Sequence, residues 1–324
     1  MKRPIIDPFL PAMCVALVAA WKWPGAGAAD GPIHAGFLTQ LSIAAIFLVQ
    51  GLSLQGEHLR HGLSVIRVHL LTQATIFLIF PILTIGLLHF FPGSLPTGCR
   101  TGIIFLAVLP TTISTAVVYT DKAGGNPATA LFNVTLANFL GILIVPIAMT
   151  TLQEGATLEA SAFIKTILLL LVLPFTMGQI LRARGMNWMD RHKDLARNLC
   201  QGFILFILWA AFCNSFAGNI FQGQEPGFLI SLCVHLLVLL LAMRILIPAI
   251  SNVLKIARQD RPAFFFCGSE KPLAAGLPMG TALFGAENPQ LGMILLPVLA
   301  YHPMQLLLDG ILASHWGSWQ KTKS

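Results

Sequence analysis

Runs of roughly 20 apolar residues recur along the whole 324-residue chain, with only short polar segments between them. A run of this length crosses the hydrocarbon core of a bilayer as an α-helix, which satisfies its own backbone hydrogen bonds there. Charged residues make up only 10% of the chain, whereas a typical soluble domain contains about 25%. The sequence therefore predicts an all-α polytopic membrane protein surrounded by the lipid bilayer.

The apolar runs predict ten transmembrane helices in one unit. Their approximate limits are 6–22, 36–54, 66–91, 101–121, 126–152, 160–182, 198–217, 227–249, 262–285 and 289–314. The first run begins like a signal peptide, but Asp7 and two prolines interrupt it, so we expect an uncleaved first span.

The distribution of basic residues predicts the orientation of these spans. With the N-terminus in the cytoplasm, 16 of the 20 Lys and Arg residues, Arg244 among them, fall in cytoplasmic segments. Three fall outside, and Lys271 falls within a span. Because basic residues concentrate on the cytoplasmic side, we expect both termini to be cytoplasmic, in an integral protein of a bacterial inner membrane.

Two short motifs recur at nearly the same offset, which indicates an internal repeat. Asn-Pro occurs at 126–127 and 288–289, 162 residues apart, and Leu-Pro occurs at 10–11 and 173–174, 163 residues apart. Five spans per half is an odd number, so the second copy would enter the membrane from the opposite side. Inverted repeats of this kind are frequent in secondary transporters. The repeats would cover about 1–155 and 156–324.

The fourth span of each repeat contains prolines next to polar side chains, which predicts two broken helices. In the first, Pro110 precedes a cluster of hydroxyl residues, and in the second, Pro272 and Pro278 follow a polar triplet. A broken helix exposes backbone carbonyls and helix ends that can bind ions. The residues predicted to bind an ion or substrate here are Thr111, Thr112, Ser114, Thr115, Ser269, Glu270 and Lys271.

Glu270 and Lys271 are the strongest of these candidates. A charged side chain in the middle of a span costs about 3 kcal/mol or more, so a functional role is the first hypothesis. A structural ion pair, or a position nearer the membrane interface, is the alternative. The hydroxyl residues could instead bond to carbonyls of their own helix.

Further polar residues lie inside other apolar runs. Amides are candidates for ion or substrate contact, and helix–helix hydrogen bonding is the alternative. For the polar residues of the last span, the alternative is core packing with internal hydrogen bonds. Asp309 on the same span is expected nearer the interface and is not a candidate. The additional candidates are Gln50, Gln73, Asn133, Asn138, His302 and Gln305.

Several other functions are not supported by the sequence. The net charge of +7 is explained by basic loops, without a basic stripe or stacking motif, so we expect no nucleic-acid partner. There is no GxxxxGK[ST], HExxH or paired-cysteine motif, which argues against an ATP-driven pump and a metal centre. No enzyme motif is found, so we expect no catalytic residue and no cofactor, apart from sodium as a coupling ion.

Five segments resemble the bile acid:sodium symporter family, solute carrier family 10. The resemblance is greatest to its SBF-like branch, which includes the seventh human member and bacterial homologues. It covers nearly the whole chain in the same order. The segments are GLSL (51–54), HLLTQ (69–73), GGN…ALFN (124–133), CGSEKPLAAGLPM (267–279) and YHPMQLLL (301–308).

The resemblance implies a panel domain from spans 1, 2, 6 and 7 and a core domain from spans 3–5 and 8–10, in which spans 4 and 9 cross. It also implies sodium-coupled uptake of organic anions. Gln73 matches a sodium-site glutamine, and Ser114 and Thr115 match a polar pair on the broken fourth span. Asn133 and Asn138 lie near the family's ligands on the fifth span.

The ninth span departs from the family's Glu-x-Gly-x-Gln-Asn pattern. Aligned on Gly268, the chain has Phe266 in place of the Glu, Glu270 in place of the Gln and Lys271 in place of the Asn. We therefore expect the Lys271 ammonium to replace one sodium ion.

The predicted function is secondary active transport of a small organic anion, coupled to sodium or protons by alternating access. The alternative is a membrane regulator of ion homeostasis, such as that of calcium, without organic solute transport.

Overall fold

The computed structural model describes residues 9–28, 31–53, 65–91, 93, 95–152, 165–184, 191–225 and 227–321. These residues form helices and connecting turns, with no β-strand among them. Besides a four-residue helix at Pro24–Gly27, the helices are α1 (Phe9–Lys22), α2 (Ala35–Ser53), α3 (Ile66–Phe90), α4 (Thr97–Val108), α5 (Ser114–Lys122), α6 (Pro127–Leu152), α7 (Lys165–Ala183), α8 (Lys193–Ala217), α9 (Phe228–Val253), α10 (Arg261–Ser269), α11 (Leu273–Phe284) and α12 (Leu291–Lys321).

Within the described part of the chain, 7 helices are long and apolar enough to cross a membrane: α2, α3, α6, α7, α8, α9 and α12. Two shorter apolar helices, α1 and α4, accompany them. The all-helical membrane architecture expected from the apolar runs is therefore confirmed. The structure does not by itself establish ten spans, because α4–α5 and α10–α11 are interrupted helices and residues 1–8 lie outside the described residues.

The chain divides into two compact units. The first comprises the described residues within 1–54, 157–224 and 277–295, and the second those within 55–156, 225–276 and 296–324.

In the first unit, α2 packs closely on α7, because Gly51 and Gly178 lie at their contact. A Cβ atom on Gly51 would overlap the Phe175 carbonyl oxygen, and one on Gly178 would overlap the Leu48 carbonyl oxygen. Small residues permit this close approach of two membrane helices.

Prolines shift the hydrogen bonding of two helices to a π-helical pattern. Thr75–Ile79 is a π-helical segment of α3 before Pro81, and Leu168–Val172 is one of α7 before Pro174. The Phe80 amide therefore donates to the Thr75 carbonyl, five residues back. Since proline lacks an amide hydrogen, such segments leave carbonyls without a helical donor.

Both predicted helix breaks are present. Residues 109–113 separate α4 from α5, and residues 270–272 separate α10 from α11. Pro278, however, was expected to contribute to the second break and lies inside α11. A single missing amide bond is tolerated within a membrane helix when its surroundings compensate. Proline alone therefore does not decide where these helices end.

Each Asn-Pro motif begins a helix. The Asn126 side-chain oxygen accepts hydrogen bonds from the amides of Ala128 (3.0 Å) and Thr129 (3.4 Å). The Asn288 side-chain oxygen accepts one from the Gln290 amide (2.8 Å). These bonds satisfy amides that have no partner at a helix N-terminus.

Candidate functional site

Glu270 lies in the break between α10 and α11 and is completely buried in the second unit. The hydroxyls of Thr112 and Thr115, at the other break, both donate to its Oε2 atom. The two hydroxyl oxygens are 2.6 Å from each other. The two breaks therefore meet, and they form a buried cluster of a carboxylate and two hydroxyls.

Lys271, the next residue, is only 1% exposed and points into a cage of backbone oxygens. Its Nζ atom donates to the carbonyls of Ala107 (2.7 Å), Leu109 (2.7 Å) and Ile76 (3.3 Å). It also lies 4.1 Å from the centre of the Phe80 ring, over its face. The ammonium thus has three carbonyl ligands and a cation–π contact.

These carbonyls are available because proline interrupts the helices that carry them. The Ile76 oxygen would normally accept from the Phe80 amide, but that amide bonds to Thr75, and the next residue is Pro81. Ala107 and Leu109 lie at the C-terminal end of α4, where carbonyls have no donor within the helix. Oxygen ligands of this kind suit a monovalent cation, and here the ligand cage holds an ammonium group.

An amide side chain from the following helix is bonded to the backbone of each break. Gln305 accepts from the Lys271 amide (2.8 Å) and donates to the Lys271 carbonyl (2.8 Å). Asn138 donates to the Thr111 carbonyl at the first break (2.9 Å). Gln305 also lies 3.0 Å from Nδ1 of His302. Asn138 and Gln305 therefore hold the backbone of the breaks in place.

Gln73 and Asn133 contact each other within the same unit. The Gln73 side-chain nitrogen donates to the Asn133 carbonyl (3.1 Å) and lies 3.4 Å from its side-chain oxygen. Three of the candidate residues have a buried side-chain oxygen without a hydrogen-bond partner in the described structure: Gln73 Oε1, Thr111 Oγ1 and Glu270 Oε1. Such atoms are candidate ligands for an ion or a water molecule.

Three candidates lie apart from these contacts. Ser269 bonds back to the Phe265 carbonyl of its own helix (2.8 Å), as the alternative hypothesis for hydroxyls anticipated. Ser114 is exposed at the start of α5. Gln50 lies in α2, in the first unit.

A second pair of buried charges was missed by the sequence reasoning. Asp309 was expected near the interface but is fully buried, and both its oxygens accept from Nη2 of Arg244 at 2.7 Å. Arg244, which was counted in a cytoplasmic segment, lies within α9. Arg244 and Asp309 each place a charge within an apolar run, and this was the signal in the sequence that could have identified them.

The described residues contain no group of three or more His, Cys, Asp or Glu side chains that could hold a metal ion.

Comparison with known proteins assigns the chain to a family. The model of the SBF-like CPA transporter family matches residues 7–318. "Putative symporter YfeH" of Escherichia coli is 30% identical over 316 residues, covering 96% of this chain and 93% of that protein. Sodium/bile acid cotransporter 7 of Rattus norvegicus is 29% identical over 321 residues, covering 97% and 94%. The chain is therefore a membrane protein that belongs to the SBF-like CPA transporter family.

Proposed function

We propose that the chain is a secondary active transporter of a small organic anion, and that the Lys271 ammonium takes the place of one coupling cation. The observation that carries this proposal is the cage of three backbone carbonyls around Nζ, at distances of 2.7, 2.7 and 3.3 Å. Carbonyl oxygens at the ends of broken helices are the ligands that secondary transporters use for sodium. A lysine in that cage supplies the positive charge without a bound ion.

Glu270 is then the group that responds to a mobile cation. Its Oε2 atom accepts from Thr112 and Thr115, while its Oε1 atom has no partner in the described structure. A carboxylate flanked by hydroxyls offers hard oxygen ligands to sodium and an acceptor to a proton. We assign Glu270 to coupling, with Gln73 and Thr111 as further ligands.

The local structure around the two breaks supports an inverted repeat of five spans each. Each break is bonded to an amide from the next helix, Asn138 in one case and Gln305 in the other. Each of these next helices follows an Asn-Pro cap, at Asn126 and at Asn288. The same order of break, cap and amide in both halves is expected of repeats, and it favours ten spans with α4–α5 and α10–α11 as the interrupted ones.

The two compact units support a panel and a core domain. The first unit contains α1, α2, α7 and α8, the helices assigned to the panel, together with residues 277–295. The side chains and carbonyls that form hydrogen bonds with Glu270 and Lys271 in the described structure belong to the second unit. We propose that transport proceeds by alternating access, in which the ion site remains intact within one unit while its exposure changes.

Taurocholate is the test ligand, because relatives are named sodium/bile acid cotransporters. Its binding, measured with and without sodium, tests the proposal. Purified wild-type protein is expected to bind taurocholate without a sodium ion at the position of the Lys271 ammonium. Lys271→Asn is expected to bind taurocholate only when sodium is present. Glu270→Gln should impair binding in both conditions. Strict sodium dependence in the wild type that Lys271→Asn leaves unchanged would contradict the role of Lys271.

Thermal stability in sodium, lithium, potassium and calcium gives a test that needs no substrate, because a bound ion stabilises the folded state. Transport into liposomes separates the proposed function from the alternative. A protein that moves no organic anion in liposomes, yet binds a membrane partner, would favour a regulator of ion homeostasis.

A further inference from the structure

A cavity of about 400 Å³ lies in the second unit, apart from the cluster around Glu270. The C-terminal end of α9, the start of α10 and the last turns of α12 line it. Its polar residues are Ser251, Asn252, Arg258 and Arg261, and its apolar residues include Phe265 and Trp316. No carboxylate is among the lining residues, so the cavity has two positive charges within its walls.

Arg261, one of the two arginines that line the cavity, is held by hydrogen bonds. Arg261 donates through Nε to the Ile256 carbonyl and through Nη1 to the Asn252 side-chain oxygen, both at 2.9 Å. The nearby acid Asp260 is buried and accepts from the Thr129 hydroxyl at 3.0 Å. Arg261 is therefore oriented before any ligand arrives, which reduces the entropy lost on binding.

The aromatic residues of the lining pack against each other and against a neighbouring ring. Trp316 packs edge to face on Phe265, with ring centroids 5.4 Å apart and an interplanar angle of 89°. It also contacts Phe266 at 6.4 Å. The lining thus combines guanidinium groups with aromatic rings, so the cavity suits an anion with an apolar or ring-containing body.

We propose that this cavity binds a phosphate group carried on a larger organic body, as in the headgroup of an acidic phospholipid. Guanidinium groups match phosphate oxygens in geometry and charge. A water molecule occupies about 30 Å³ in the liquid, and a phosphate group is the size of only a few water molecules. A cavity of about 400 Å³ therefore has room for a body attached to the phosphate. Basic pockets between transmembrane helices are known to bind such headgroups.

Binding here would act on the helix that leads to the transport site. Arg261 and Phe265 both belong to α10, which ends at Ser269, next to Glu270. A phosphate held between α9, α10 and α12 therefore stabilises the position of this half of the broken helix.

The test measures the melting temperature of the protein in nanodiscs of phosphatidylcholine with and without phosphatidylglycerol. Glycerol 3-phosphate, added to the phosphatidylcholine discs, is the soluble probe. A rise with phosphatidylglycerol alone identifies a lipid as the source of the phosphate, and a rise with glycerol 3-phosphate identifies a soluble ligand. A rise with neither probe overturns the proposal.

Variants show whether the cavity is responsible. Arg258→Gln should weaken binding by about tenfold or more, since it removes a charged hydrogen-bonding group, and Arg258→Lys should weaken it less. Lys255→Gln is the matched control, because this exposed lysine lies in the same connection between α9 and α10 but does not line the cavity. Equal loss in Arg258→Gln and Lys255→Gln would show general attraction to anions and overturn the proposal. Melting in pure phosphatidylcholine checks that each variant is folded.

Discussion

Replacing Lys271 by Ala or by Met separates the charge of its side chain from the space that it fills. Either change removes hydrogen bonds to the carbonyls of Ile76, Ala107 and Leu109. Each bond to a charged group contributes about 1.5–3 kcal/mol, but removing the ammonium also removes its burial penalty. Each buried carbonyl left without a partner costs about 1–3 kcal/mol, and the lost burial penalty offsets part of this, so we expect a net loss of a few kcal/mol in the free energy of unfolding without sodium.

Sodium should affect the two variants differently. In Lys271→Ala the carbonyl cage is vacated and a sodium ion can enter it, whereas in Lys271→Met an apolar chain of similar length fills the space. At a sodium concentration about 100-fold above its dissociation constant, binding would restore about 2.7 kcal/mol to the Ala variant. The assay is thermal melting of purified protein in sodium chloride and in choline chloride at equal ionic strength.

The result for the Met variant decides the interpretation. Recovery of Lys271→Ala but not of Lys271→Met supports a cation site at Nζ. Equal recovery of both variants would show that sodium acts elsewhere. A failure of sodium to stabilise Lys271→Ala more than choline does would refute the reasoning that the carbonyls form a cation site.

Three further predictions concern other parts of the molecule. Arg244→Leu and Asp309→Leu should each lower the unfolding free energy by about 3–5 kcal/mol, whereas the double variant should be close to wild type, which a double-mutant cycle in denaturant measures. Gly51→Ala should destabilise by about 1–3 kcal/mol through overlap at the α2–α7 contact, whereas Gly202→Ala, with no described atom within 4 Å of its new Cβ, should stabilise by up to about 1 kcal/mol in melting experiments. Reporters inserted near Gly223 and fused to the C-terminus should report opposite sides of the membrane, and the same side for both would contradict ten spans.

The helices and the positions of the breaks could be predicted from the sequence. Apolar runs have the length that a bilayer requires, and this constraint holds regardless of tertiary contacts. The breaks follow from the combination of proline with polar residues at Pro110 and at Lys271. Pro278 shows the limit of this rule, because it lies inside α11 without ending the helix. The second break ends where the Gln305 amide replaces helical hydrogen bonds, and this partner is 34 residues away in sequence.

The contacts of the candidate site could not be predicted in the same way. The ligands of Lys271 are backbone atoms of Ile76, Ala107 and Leu109, which no side-chain motif marks. Arg244 and Asp309 are 65 residues apart, and each alone resembles a residue near a helix end. Long-range pairing depends on how helices pack, and hydropathy reports only which helices exist.

A cation that is covalently attached to the protein changes the energetics of accumulation. One sodium ion entering down a membrane potential of about 100 mV and a tenfold concentration gradient supplies about 2.3 and 1.4 kcal/mol, respectively. The Lys271 ammonium returns with the protein in every cycle and supplies neither. Under the proposed function, each sodium replaced lowers the steepest substrate gradient that the transporter can maintain by several hundredfold. In exchange, the uptake that remains continues in surroundings that contain little sodium.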